Sequence, residues 1–592
     1  MRDILFFIIA FVGLLSGLVF FKRSNLPLSV FQTTLGCFLT ELCIGTIVAK
    51  IYSFLSITID LKSMGMAYFV LGAMLWGYSL KTKQFQKLKI NLWDMYSCLI
   101  ITVGFMLLFF AIFTVDIVNK YINSDAASHF TLALNVMDSG KIFKMHFGEL
   151  FNGLILSAAS HFWGKLSLYK VYILSDAFAN LINIFMFYML ADTICRHKVI
   201  KILLPFLCFG YFLGWPLYSF VLGGFGYLAW GVSLFAYIVY LLVNFYSCNE
   251  KEKQIQILFV IGINCIGLTF CYMLFVPLAG MVILITLIWK AKKNKNLFSK
   301  KSVSVCVGVL AVGCVIAWIC FRGYFGGNMQ YFLSVLQMDG WTHKDLYRDF
   351  VFLMPAVLYM GWYYIKNHEL NLIFASTAVI FAFICITFVL CIYNRMSPYY
   401  FYKSYYLFWL FSWLLLVNAM DYFMNKDKGV VMAYGIAFSV PVFMTLSGID
   451  NMLEEKGIVV NEKHSSYYPS FYPILDGYAY YLGEENNWLE DKEALQDMSS
   501  YILNNFSEEK EIPLIVCDGR WGYWYYSFTR QDSIFVANGN ELLDALSDYI
   551  QAGYEYVVIH QNSDTYRKVK EKISKYEKKY DNGYYGLYHV LY

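Results

Sequence analysis

Long apolar runs separated by short polar stretches fill the first three quarters of the chain. Ile4 to Phe21, Val30 to Ala49, Met64 to Leu80 and Met95 to Val118 are each about as long as a helix needs to cross ~30 Å of hydrocarbon. The pattern then changes. Tyr121 to Gly140, reading YINSDAASHFTLALNVMDSG, places Phe130, Ala133, Leu134 and Met137 at helical intervals among polar residues. Asn123 or Ser124 is placed to cap the start and Gly140 to end it, so the spacing predicts a helix at the membrane surface with Asp125 and His129 on one face.

Beyond it, Leu150 to Trp163 is marginal in length for a span and reads as a re-entrant or interfacial helix. Val171 to Ala191, Ile202 to Phe220, Tyr227 to Phe245, Ile255 to Phe275 and Val276 to Trp289 follow, with Pro277 marking the break between the last two. Val303 to Phe321, Phe350 to Ile365, Leu370 to Tyr393, Leu407 to Met420 and Val430 to Leu446 complete a predicted all-α domain over residues 1–446, with about 13 membrane helices. Met1-Arg2-Asp3 runs straight into the first span with no small-residue cleavage site after it, so that span reads as a retained helix and not as a signal peptide.

Basic clusters orient these spans. Lys22 and Arg23, the four lysines from Lys81 to Lys89, Arg196 to Lys201 and the lysines from Lys290 to Lys301 fall on one side of the alternating spans, which the positive-inside rule assigns to the cytoplasm. Loops 119–150, 322–349 and 394–406 then face outward. From Ser447 charges return and apolar runs shorten: Ile512 to Val516, Ser533 to Val536 and Tyr556 to His560 read as strands, with Asn540 to Ala552 and Asp564 to Tyr580 as helices. This alternation predicts a small α/β domain with a partly parallel sheet over 447–592, outside the membrane on the same side as Asp125.

Composition agrees with the pattern. Of 592 residues 59% are hydrophobic, 19% aromatic and only 15% charged, with mean hydropathy +0.52, which makes the lipid bilayer the chain's first partner. A net charge of +4 spread over the loops gives no support for nucleic-acid binding. Of the 14 cysteines only Cys517 lies in the polar C-terminal region, which excludes a disulfide framework there.

Several polar residues stand out against this background. Asp125, in the first turn of its helix, is held ionised by the helix dipole and is a candidate general base; the plainer reading is a helix-start Asp satisfied by backbone amides. His129 is placed to orient that carboxylate or bind substrate, or simply to make a hydrogen bond to a polar neighbour. His146 and Glu149, with Lys141 and Lys144 nearby, are the candidates for a divalent metal ion, on spacing alone. In NRMSPYYFYKSYY, Asn394 to Tyr406, the cations Arg395 and Lys403 lie among tyrosines including Tyr402. A lipid phosphate would satisfy them at that depth, as would snorkelling to headgroups. Arg322, His343, Lys344 and Arg348 form a second basic loop that could close over a ligand. Within the spans, Glu41 and Asp176 are intramembrane carboxylates, and Asp176 is near enough to the outer end of its helix to back the Asp125 site. In CDGRWGYWYYSFTR, Cys517 to Arg530, the aromatics read first as core and interface contacts and second as a sugar-stacking platform.

An acidic residue in the first large outer loop, here Asp125 in SDAASHF, followed by many spans, a basic late outer loop and a soluble outer C-terminal domain, resembles the GT-C superfamily of integral-membrane glycosyltransferases. Four spans ahead of the acidic loop depart from the commonest pattern, in which it follows the first. The resemblance implies an inverting enzyme of the cell (plasma) membrane. It would move a sugar from a polyprenyl-phosphate donor to a glycan, glycolipid or protein acceptor in envelope polysaccharide assembly, with Asp125 as base and Lys403 and Arg395 on the lipid phosphate. Two other classes remain open: a transporter or flippase of a lipid-linked saccharide using Glu41 and Asp176, and a non-catalytic membrane partner whose C-terminal domain binds polysaccharide or protein.

Overall fold

The computed structural model describes residues 1–22, 27–121, 124–142, 147–220, 224–293, 322, 328–338, 350, 352–367, 370–424, 490–507 and 509–591. The expected spans Val303 to Phe321 and Val430 to Leu446, and the candidates His146, His343, Lys344 and Arg348, lie outside the described residues.

Apolar runs become helices: α1 (Arg2–Phe20), α2 (Val30–Phe54), α3 (Leu61–Thr82) and α4 (Leu92–Phe113) form the predicted first four. The surface segment follows as α5 (Ser124–Ser139), and the marginal run as α6 (Phe147–Ala159), whose 13 residues are too few to span. Next come α7 (Leu168–Ile194), α8 (Lys198–Phe212), α9 (Trp215–Tyr218), α10 (Gly226–Ser247), α11 (Lys251–Cys271) and α12 (Val276–Lys293). α13 (Met329–Leu336), α14 (Met354–Lys366), α15 (Leu372–Ile392), α16 (Pro398–Lys403) and α17 (Tyr405–Met424) complete the described part of this domain. Among the described residues nine helical segments are long and apolar enough to cross a membrane.

Two features mark lipid as the solvent. Large apolar side chains such as Leu5, Ile9, Met74, Leu107 and Phe381 stay exposed on the outward faces of α1, α3, α4 and α15. The innermost helices, α7, α10 and α17, bury most of their residues. Helices also approach through small residues. A Cβ on Gly72 of α3 would lie 3.1 Å from the backbone nitrogen of Leu14 in α1, so only glycine lets the two backbones meet there.

Polar groups inside the bundle are paired at defined depths. At the end of α7, Asp192 meets Lys201 at 3.0 Å and Gln32 at 3.0 Å, and Asp421 accepts the backbone N–H groups of Arg196 and His197 at 2.8 Å. Near its start, Asp176 accepts the hydroxyl of Tyr121 at 2.7 Å. At 1.5 Å per residue Asp176 and Asp192 are ~24 Å apart along α7, most of the ~30 Å thickness of a hydrocarbon core.

The C-terminal region opens with a helix over 490–505, α18, followed by β1 (Leu514–Val516), α19 (Gly519–Thr529), β2 (Ser533–Phe535), α20 (Gly539–Gln551) and β3 (Tyr556–His560). The strand order is β2-β1-β3-β5-β4, with the first three parallel and the last two antiparallel, the mixed sheet that the sequence predicts. One element differs. Asp564 to Tyr580 does not form one helix: α21 (Asp564–Arg567) and α22 (Lys570–Ile573) are single turns, and the chain then enters a hairpin of β4 (Glu577–Asp581) and β5 (Tyr585–His589). Lys and Glu favour helix locally, but Asn582 and Gly583, the latter at φ +87°, turn the chain and β5 buries Tyr585 and Leu587 in the sheet.

Candidate functional site around Asp125

α5 is positioned at both ends. Gly140, at φ +61°, ends it in the left-handed conformation, and its carbonyl accepts the N–H of Ile59 at 2.8 Å; a Cβ there would lie 2.3 Å from Cγ2 of Thr58. From the other side, α19 packs along it: Ser527 Oγ donates to the carbonyl of Ala127 at 3.1 Å and lies 2.7 Å from Thr131 Oγ1, while Arg530 meets Asp138 at 2.8 Å. Ala126, Ala127, Phe130, Ala133 and Leu134 face inward, leaving Asp125 and His129 half-buried at the rim.

Beside this face lies a narrow cleft whose polar lining includes His129, Glu149, Asn152, Ser175 and Asp176. The His129 ring lies 4.5 Å from that of Tyr227, at the start of α10. Asp176 is fixed by Tyr121 and by the backbone N–H of Gly226, so its carboxylate sits on the N-terminus of α10, where the helix dipole favours it. A Cβ at position 226 would fall 1.9 Å from Asp176 Oδ1, which leaves glycine as the residue that fits.

Lys403 reaches the same place from α16. Its ammonium is 4% exposed, donates to Tyr227 Oη at 2.8 Å and lies 4.1 Å from the ring centre of Tyr399 and 4.8 Å from that of Phe225. Asp125 is within electrostatic reach of this cation. Burial raises the Asp125 carboxyl above its ordinary range, and the Lys403 charge draws it back down. The structure thus places His129, Glu149 and Asp176 in the lining of one cleft, with Lys403 reaching its edge through Tyr227 and Asp125 one helical turn before His129 on α5.

Other candidates fall elsewhere. The stretch expected as a short loop is largely helical, and Arg395 is exposed in the turn between α15 and α16. Tyr402 is half-buried against Phe401, with ring centres 5.1 Å apart, and Arg322 is exposed. Glu41 is fully buried in α2, and its carboxylate oxygens have no hydrogen-bond partner among the described residues. Trp521, Trp524 and Tyr525 of the aromatic segment are buried and only Tyr523 is strongly exposed, as the core reading expects. Among the described residues no group of three or more His, Cys, Asp or Glu is arranged to hold a metal ion; Glu149 is buried at the cleft, and His146 is not described. Sequence reasoning missed Tyr121, Tyr227, Tyr399 and Gly226, because aromatic residues at span ends look alike until tertiary packing selects a few.

No family profile matches the chain, and no curated protein matches it significantly. Solved structures do. ArnT from Cupriavidus metallidurans matches in its apo state with TM-score 0.50 at 11% identity, over 83% of this chain and 98% of that one. The same protein bound to undecaprenyl phosphate matches with TM-score 0.51 at 10% identity, over the same shares of the two chains. The chain has the GT-C fold. An oligosaccharyltransferase of Archaeoglobus fulgidus, solved with zinc and sulfate, aligns over 84% of this chain and 73% of its own, at 14% identity and TM-score 0.46. The GT-C likeness is one of architecture and takes in most of the membrane bundle.

Proposed function

We propose that the chain is a membrane glycosyltransferase that moves a sugar from a polyprenyl-phosphate donor to the hydroxyl of a glycan, glycolipid or protein acceptor on the outer face of the plasma membrane. The observation that carries this reading is a half-buried carboxylate, Asp125, within electrostatic reach of a buried ammonium, Lys403, whose hydrogen-bond partner Tyr227 lines the cleft, on a GT-C fold. Asp125 takes the proton of the acceptor hydroxyl as its oxygen attacks the anomeric carbon from the face opposite the phosphate, which inverts that centre. Lys403 lies on the departing phosphate and stabilises its charge in a site walled by aromatic rings. His129, Asp176 and Tyr227 shape the acceptor side, while Arg395, exposed in the turn before α16, meets the phosphate from solvent. The lipid bound by the Cupriavidus ArnT, undecaprenyl phosphate, accords with this donor class. A divalent ion, should transfer require one, would be held by Glu149 with His146.

Asp125→Asn keeps the shape of the side chain and removes the base. With purified protein and radiolabelled polyprenyl-phosphate sugar we expect transfer to fall by at least ~100-fold, with an unchanged elution profile in detergent. Undiminished product from this variant overturns the assignment of Asp125.

A further inference from the structure

A second cluster of chemistry-bearing groups sits in the C-terminal sheet, away from Asp125. The chain leaves β1 to form β2 on one side and returns to lay β3 on the other, so the carboxyl ends of β1 and β3 flank a topological switch point, where open α/β sheets hold their ligands. Cys517 is the first residue beyond β1 and His560 the last of β3.

His560 is 3% exposed, its Nε2 lies 3.2 Å from Oδ1 of Asp491 in α18, and its ring stacks on Tyr585 with centres 4.9 Å apart. Nδ1 is buried with no hydrogen-bond partner among the described residues, and the neighbouring thiol acting on the ring is that of Cys517. On the far side of the sulfur, Ser563 Oγ accepts the N–H of Tyr566 at 3.1 Å, which leaves its own proton for Cys517 Sγ at 3.2 Å. Asp518 does not compete for His560: its carboxylate is taken by the Arg520 guanidinium. Burial opposes a charge on His560, but Asp491 and Cys517 outweigh it and push the imidazole up to about 9. α19, 11 residues long, begins two residues past Cys517 and puts the positive end of its dipole beside the sulfur, which is half-buried and open on one side.

We propose that Cys517, paired with His560 and positioned through Asp491, is a nucleophilic thiolate that takes an acyl group from an ester or thioester. The sulfur attacks the carbonyl carbon and forms the S–C bond. The bond from that carbon to the leaving oxygen or sulfur breaks, and the leaving group departs with the electron pair and the proton of the His560 imidazolium. Water attacking the S-acyl carbon then yields a carboxylic acid and restores the thiolate, with one water proton returning to His560. This centre is independent of glycosyl transfer at Asp125.

The test uses the full chain in detergent, with Cys517 followed by peptide mass so that the other cysteines do not interfere. Iodoacetamide alkylation at Cys517 is expected to be fast at pH 6, and His560→Gln to slow it ~100-fold there by removing the imidazole that pairs with the sulfur. Asp491→Asn, by loosening His560, slows it too. One equivalent of acetyl from p-nitrophenyl acetate is expected on Cys517 at pH 6.5 and none in Cys517→Ser or His560→Gln. Wild-type Cys517 that alkylates no faster at pH 6 than free cysteine, which needs no variant to read, overturns the proposal; so does a thiol that alkylates readily at pH 6 yet takes no acetyl group.

Discussion

Two opposed forces act on Asp125. Burial raises its carboxyl above the ordinary value of 3.8, and the positive charge of Lys403 lowers it again. A base works only when ionised, so with Asp125 as the proposed base the acidic limb of the pH–rate profile is expected to follow its carboxyl and to lie above the range of a solvated aspartate. Lys403→Met removes the lowering influence while keeping the length of the stem. The raised carboxyl is then left uncompensated, and the acidic limb of kcat/KM is expected to move to higher pH as well as the maximal rate to fall. A limb that stays where it was after this change would separate Lys403 from Asp125. The candidates themselves were legible in sequence: a carboxylate in the first turn of an amphipathic helix is visible as a pattern, and a lysine among tyrosines at a span boundary has few solvents but a phosphate or a headgroup. What the sequence does not carry is the ring set around the ammonium. Tyr399 lies one turn before Lys403 in α16, but Phe225 and Tyr227 come from the start of α10 and have no local signature.

Helices form here because lipid leaves the backbone no other partner, and they pack where side chains are small enough to permit it. At Gly72 the contact of α3 with α1 is backbone against backbone, with Leu14 N 3.1 Å and Gly13 C 3.3 Å from where a Cβ would stand. Gly72→Val therefore forces the two helices apart and is expected to cost about 1–3 kcal/mol, read as a lower midpoint of thermal unfolding in detergent. An unshifted midpoint would mean that the pair is held by other contacts. Element existence was legible for most of the described membrane helices, since an apolar run of span length has one stable form in lipid, but the run expected as one span from Ile202 to Phe220 breaks after Phe212 into α8 and the short α9. The C-terminal hairpin was not. Its β4 strand, Glu577 to Asp581, is charged and mostly exposed, so its own residues gave no strand signal, and the deciding feature, the Asn582-Gly583 turn, lies beyond the stretch read as helix.

At the scale of the whole chain, the C-terminal region grips the segment that delivers Asp125. α19 lies along α5, and Lys492 of α18, 3% exposed, donates to the carbonyls of Asn119 at 2.9 Å and Tyr121 at 2.7 Å. Those carbonyls precede the acidic helix, and Tyr121 also holds Asp176 of the cleft, so one buried cation fixes the chain between Asp176 and the helix that carries Asp125. Lys492→Met keeps the apolar stem and leaves two buried carbonyls to lose their donor, at about 1–3 kcal/mol each. We expect faster amide exchange over residues 119–139, unchanged exchange at the distant Asp192–Lys201 end of α7, and transfer reduced by ~10-fold or more, because displacement of a reacting group by ~1 Å is enough to lose that much rate. Exchange over 119–139 that matches the parent chain would show that the membrane helices alone set the position of Asp125. Loss confined to that segment would make the C-terminal region a structural part of the site as well as the carrier of its own.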